Sequence, residues 1–197
     1  MDKFRNTSTI IVTIAFYVAV SIAPAWASLP YYNEELGYII WLPKEWHEAS
    51  DDMLSDFREF DDGLAAHMVG WEAGYVLNGN NTVRLLVSEL SGKANSKAFI
   101  SNFNRHVIRQ VKKAGEQHVT SRGEPLVRLR EASYDGSKKM LRLEMDRRDS
   151  SGSEMVSVVY IVYAKEGMLK FVGLVEPGDK DGVVAIDKVV STLYLER

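Results

Sequence analysis

EMVSVVYIVYAKEGMLKFVGLVE, residues 154–176, is the stretch on which the fold turns. Two runs rich in β-branched and aromatic residues, 154–163 and 168–176, flank the turn Lys165-Glu166-Gly167 and read as a strong β-hairpin. This hairpin is expected at the centre of a sheet. Downstream, Pro177-Gly178-Asp179-Lys180-Asp181-Gly182 breaks the strand pattern, and Val183, Ile186, Val189, Val190 and Leu193 then recur at helical spacing, predicting a C-terminal helix. Upstream, strands are predicted near 117–121, 126–134 and 139–147, with Asp135-Gly136 as a turn signal.

The long helix comes before these strands, from about Ser96 to Ala114. Gly115 is its expected stop, since glycine readily takes the left-handed conformation that helix ends prefer. Phe99, Ile100, Phe103, Val107, Val111 and Ala114 form its apolar stripe. Arg105, Arg109, Lys112 and Lys113 fall within about 100° of arc on the other side, at about 100° per residue. Further upstream, strands are predicted at 64–72 and 82–90, joined across Asn78-Gly79-Asn80-Asn81. Before them come a short helix at 51–60 capped by Ser50 and a strand at 36–42 that Pro43 stops. Strands, a helix, several strands and a helix argue for α+β, a mostly antiparallel sheet flanked by helices.

The composition agrees with an ordinary globular protein. The chain has 197 residues, 46% of them hydrophobic and 26% charged, with no Cys and a net charge of −3, which excludes disordered, collagenous and disulfide-stapled classes. Residues 1–27 read as an export signal: Lys3 and Arg5, an apolar run from Ile10 to Ala23, then the small-x-small site Ala25-Trp26-Ala27. At about 14 residues the run falls short of the roughly 20 that span a membrane. Residues 28–197 are then expected to form a single α+β domain, exported and in the periplasm or secreted, held by its core without disulfides. Cleavage removes one acid and two bases and leaves a net charge of −4. The expected outcome is a mature protein that begins at Ser28 when isolated from its native host. Intact mass checks this, and retention of residues 1–27 on a membrane-bound product would contradict it.

No chemical motif emerges. His47-Glu48-Ala49-Ser50-Asp51 lacks the second histidine of a zinc-protease helix, and acids in a first helical turn are already explained by the helix dipole. Pro177 and Lys188 stand where a calcium loop at 177–188 would need its first and last ligands. His67, His106 and His118 are scattered. The chain has no G-x-S-x-G elbow, no phosphate-binding loop, no dinucleotide fingerprint and no thiol, so no cofactor, metal or catalytic residue is assigned. A hydrolase assembled from distant residues is the reading left for catalysis.

Two binding features remain. The first is aromatic: Tyr31, Tyr32, Trp41, Trp46, Trp71 and Tyr75 crowd the first third, and a groove rimmed by Trp46 and Trp71 would suit a small apolar or lipid-like ligand. The second is charge. Residues 28–92 hold 12 acids and 3 bases, residues 93–148 hold 6 acids and 14 bases, and residues 149–197 hold 8 acids and 5 bases. Either the acidic first third folds against the basic middle, or Arg105, Arg109, Lys112 and Lys113 present a basic face to an anionic protein partner or to lipid headgroups in peripheral membrane contact. Nucleic acid does not suit an exported protein of net negative charge.

Two stretches carry a family resemblance: Tyr32-Asn33-Glu34-Glu35-Leu36-Gly37-Tyr38 leading into Leu42-Pro43-Lys44-Glu45-Trp46, and residues 160–175 running into the last helix and Ser191-Thr192-Leu193. Both resemble the PsbP-like superfamily, which includes the bacterial DcrB-like exported proteins, although Glu45 stands where many members carry glycine. The resemblance implies an αβα sandwich over nearly all of the mature chain and a non-enzymatic accessory or partner-binding role. It transfers no binding residue, because members of the family bind unrelated things.

Overall fold

The computed structural model describes residues 28–56, 70–90, 92, 96–117, 126–148, 153–164 and 167–195. The predicted leader lies outside them, and none of the described helices is long and apolar enough to cross a membrane. The strands are β1 (Leu29–Asn33), β2 (Tyr38–Leu42), β3 (Trp46–Glu48), β4 (Ala73–Leu77), β5 (Asn80–Leu90), β6 (Val127–Asp135), β7 (Met140–Arg148), β8 (Glu154–Tyr163), β9 (Met168–Val175) and β10 (Tyr194–Leu195). The helices are α1 (Asp51–Asp56), α2 (Lys97–Gln117) and α3 (Lys180–Ser191). Seven strands form one antiparallel sheet in the order β3-β4-β5-β9-β8-β7-β6, and β1-β2-β10 form a smaller one. The fold is α+β with antiparallel sheets flanked by helices, as expected. The hairpin β8–β9 is central, with β9 fourth of the seven strands.

Period-2 alternation splits the core into two layers. On one face of the large sheet, Val158, Tyr160 and Phe171 pack against Ile186, Val189 and Val190 of α3 and against Tyr38 and Ile40 of the small sheet. On the other, Val159, Ile161 and Val172 pack with Leu141 and Leu143 against Ile100, Val107 and Val111 of α2, and Met53 and Leu54 of α1 join them. One outer layer of the sandwich is therefore helical, while the other combines a helix with three strands.

Several local expectations need correction. β1 was not predicted; it pairs with β2 through a turn in which the Asn33 side chain accepts from the Leu36 amide at 2.9 Å. β3 follows directly from the predicted turn, where the Trp46 amide donates to the Pro43 carbonyl at 2.9 Å. Of the strand predicted at 64–72, residues 70–72 are not strand and 64–69 lie outside the described residues; the strand that pairs with β5 is β4 at Ala73–Leu77. Ala73 and Gly74 hide it, because small residues have weak strand propensity. A Cβ at Gly74 would stand 2.7 Å from the Leu54 Cδ2 of α1 and 3.4 Å from the Ala49 Cβ, so a larger residue here would have to displace the Leu54 side chain. Helix α1 starts after Ser50, whose Oγ accepts from the Met53 amide at 3.4 Å, and is described to Asp56; the predicted remainder, 57–60, lies outside the described residues. The long helix does not stop at Gly115 but runs to Gln117, so the strand predicted at 117–121 begins inside α2, and 118–121 lie outside the described residues.

Candidate functional site

Helix α2 carries the basic face, and its inner side explains why that face points outward. Ser96 caps the helix, its Oγ accepting from the Phe99 amide at 3.1 Å. Ile100, Val107 and Val111 are buried against the sheet. Asn104, also buried, accepts a hydrogen bond from the Tyr163 hydroxyl of β8. Burial pushes the pKa of that hydroxyl up, so it stays protonated and able to donate. Phe99 and Phe103 stack at 5.8 Å between centroids, and Phe103 meets Tyr163 edge-on at 6.1 Å.

With that stripe fixed, Arg105, Arg109, Lys112 and Lys113 are all exposed. Arg105 hydrogen-bonds the neutral side chain of Asn102 at 2.5 Å. Among the described residues none of the four cations has an acidic partner. Phe99, Asn102, Phe103, Arg105, His106 and Arg109 line an open depression of about 540 Å³ along this flank, so aromatic surface lies beside the charge. The extra turn of helix changes one detail: Glu116, exposed, falls within the same arc and gives the face an acid at its C-terminal end.

Arg128, Arg130, Arg142 and Arg148 of β6 and β7 behave differently, because acids of their own neighbourhood hold them. Arg142 makes a fork to Asp187 of α3 at 2.8 and 3.0 Å and bonds Glu144 at 3.0 Å, and Tyr160 donates to Asp187 at 2.5 Å. Partial burial works against the Arg142 charge, yet these carboxylates raise its pKa overall. β3 and β4, described strands of the acid-rich first third, do not lie against this region. Strand order puts β3 and β4 at one edge of the large sheet and β6 and β7 at the other, with β5, β9 and β8 between.

The structure does not bring Trp46 and Trp71 together. Trp46 is buried in the layer beneath α3 and the small sheet, whereas Trp71 is buried on the opposite face, with the Lys170 ammonium 5.2 Å from its ring centre. No groove runs between them, because the sheet itself separates them. The other aromatics divide as well. Tyr75 and Tyr38 are buried with their hydroxyls 2.6 Å apart, and Tyr31 packs edge-on to Tyr75 at 5.2 Å and donates to Glu48. Tyr32 and Trp41 instead face outward on the small sheet with Tyr194, each exposed. Sequence alternation alone could not assign these sides, because the strand partners were unknown. For catalysis, His47 and His106 are both exposed, and His106 has Gln110 as its neighbour at 3.5 Å; His67 and His118 lie outside the described residues.

No protein-family model matches the sequence, and no curated protein matches it either. Solved structures do. The chain is similar to cyanobacterial PsbP (CyanoP) from Synechocystis sp. PCC 6803, at 15% identity over 86% of this chain and 94% of that one, with a TM-score of 0.52. It is also similar to a protein from Bacteroides thetaiotaomicron, at 13% identity over 86% of this chain and 49% of that one, with a TM-score of 0.50. At such identities the likeness establishes the fold alone.

Proposed function

We propose, from a PsbP-like fold and a helix with an exposed basic face, that this chain is an exported, non-catalytic accessory module that binds the acidic surface of a partner protein through α2. The observation that carries the reading is the contrast between two sets of cations. Arg128, Arg130, Arg142 and Arg148 of β6 and β7 are tied to acids and hold strands and helix together, whereas Arg105, Arg109, Lys112 and Lys113 have no acidic partner among the described residues and sit on a rigidly packed helix. Such a face steers an acidic partner and costs little to the fold. The Phe99–Phe103 flank supplies the apolar contact that charge alone lacks.

Reversing all four residues to Glu should leave cooperative melting within about 1 kcal/mol of wild type, since exposed charges contribute little to stability. In-cell cross-linking should lose the partner in the reversed variant. Raised salt should release it from the wild type, because screening acts over about 8–10 Å at physiological ionic strength. Glu116→Gln, which removes the acid from the face, should raise capture. Cross-links that persist unchanged through the reversal would overturn the assignment of this face.

A further inference from the structure

The small sheet is apolar on both faces. Tyr31, Tyr38, Ile40, Leu42 and Leu195 turn inward and pack into the core layer beneath α3. Alternation sends Pro30 and Tyr32 of β1, Ile39 and Trp41 of β2 and Tyr194 of β10 to the outer side, where an antiparallel sheet ordinarily carries polar residues. None of these five is charged.

The register gathers them into one patch. Tyr32, Ile39 and Tyr194 stand abreast across the three strands, and Trp41, abreast of Pro30, lies two residues along on the same face, within diagonal reach of both tyrosines. Tyr32, Trp41 and Tyr194 are 44%, 36% and 52% exposed, three of the six large hydrophobic side chains left to solvent among the described residues. An aromatic side chain has about 150–250 Å² in all, so roughly 300 Å² of ring surface is open here. Single apolar residues on a surface are ordinary, whereas a clustered, uncharged face marks an interaction site.

Two observations bear on what covers it. A stable dimer buries about 800 Å² on each partner, more than these rings supply, so a second copy finds too little surface. The chain before β1 favours a membrane instead. Leu29 opens the small sheet six residues after Ala23, where the apolar run of the leader ends, and six extended residues reach about 20 Å. On the export reading of residues 1–27, on which this rests, the small sheet is the part of the fold delivered next to the bilayer, and the chain enters it beside Trp41. Each ring also joins an apolar body to a polar tip, the combination that settles at the headgroup boundary.

We propose that the outer face of the small sheet, formed by Tyr32, Ile39, Trp41 and Tyr194, docks on the interface of a lipid bilayer. Glu34 and Glu35, exposed in the turn after β1, place negative charge next to the Tyr32 end, so the contact is with neutral headgroups and acyl chains rather than with anionic lipid. That separates it from the α2 face, whose attraction is electrostatic.

The experiment measures partition of the mature protein, residues 28–197, into phosphatidylcholine vesicles by co-sedimentation and tryptophan emission. Trp46 and Trp71 are buried, so a blue shift with vesicles and quenching by brominated acyl chains report on Trp41. Trp41→Ala should lower the partition coefficient about tenfold through lost apolar contact. Tyr194→Asp, on a two-residue strand, should lower it about fivefold with cooperative melting retained, and it decides the matter where Trp41→Ala unfolds. The fourfold α2 reversal and about 0.5 M salt should each leave partition within about twofold of wild type. No partition into phosphatidylcholine overturns the proposal, as does a loss in the α2 reversal equal to that in Tyr194→Asp. A lipid-free dimer that Tyr194→Asp dissociates also overturns it, because a second copy then covers the face. Intact mass of the native product tests the leader separately, so the two readings can fail apart.

Discussion

Phe171→Asp is expected to abolish cooperative melting, and Val159→Asp to cripple it. Phe171 on β9 and Val159 on β8 are both fully buried, in the layer beneath α3 and the layer beneath α2 respectively. The cluster around Phe171 consists of aliphatic side chains, tyrosines and tryptophan, with Tyr38 edge-on at 5.4 Å. Burying an unpaired carboxylate there costs more than a typical domain's margin of roughly 5–15 kcal/mol unless the group protonates, and even the neutral acid loses the packing of a phenyl ring, about 3–5 kcal/mol. Val159 differs in one respect: it pairs with Val172, which places Lys170 diagonally across the strands on the same face. That ammonium can take up part of the cost, so Val159→Asp should retain more structure than Phe171→Asp. Circular dichroism with thermal melting is the measurement. A native-like melt for Phe171→Asp would mean that β9 is not the spine of the sheet.

The same hairpin shows why part of the fold was legible. β8 matches its predicted ends and β9 differs by one residue, because strands buried on both faces write an apolar run that needs no knowledge of their partners. β1, β3 and β10 carry no such record. β10 pairs with β2 at only two positions, and the small sheet persists because Tyr38 and Ile40 are buried against the large one, a contact set by tertiary packing. The basic face was legible because helical period fixes which side chains share a side once the apolar stripe is known. The ion pairs Arg128–Asp146 and Arg148–Glu154 were not, since they form only when β6, β7 and β8 are paired in register. The aromatics fail for a related reason: Trp46 and Trp71 are both buried, and only the strand order reveals that they are buried on opposite faces.

Gly115 offers the sharpest test of what the sequence misread, because three accounts of it predict three different patterns. If it ended the helix in the left-handed conformation, Ala would destabilise and Asn would recover part of the loss. If it merely sat in an exposed helix interior, Ala would stabilise by about 1 kcal/mol. The structure gives a third account. Gly115 lies within α2 with no positive φ, and a Cβ built on it would stand 2.4 Å from the carbonyl oxygen of Val127, the first residue of β6. That obstacle is backbone and cannot rotate away. Gly115→Ala should therefore push helix and strand apart and cost about 1–3 kcal/mol net of its propensity gain. For a domain of this size that is a fall of roughly 2–4 °C per kcal/mol. Asn, being larger, should be worse than Ala, the reverse of the order expected at a helix cap. Melting curves for the two variants decide among the accounts, and a rise with Ala would place the last turn of α2 clear of β6. The outcome also bears on binding, because Lys112 and Lys113 sit on the turn that this contact holds against the sheet. A variant that loosens the turn while leaving every cation in place should weaken partner capture if α2 must be rigid to present its charge.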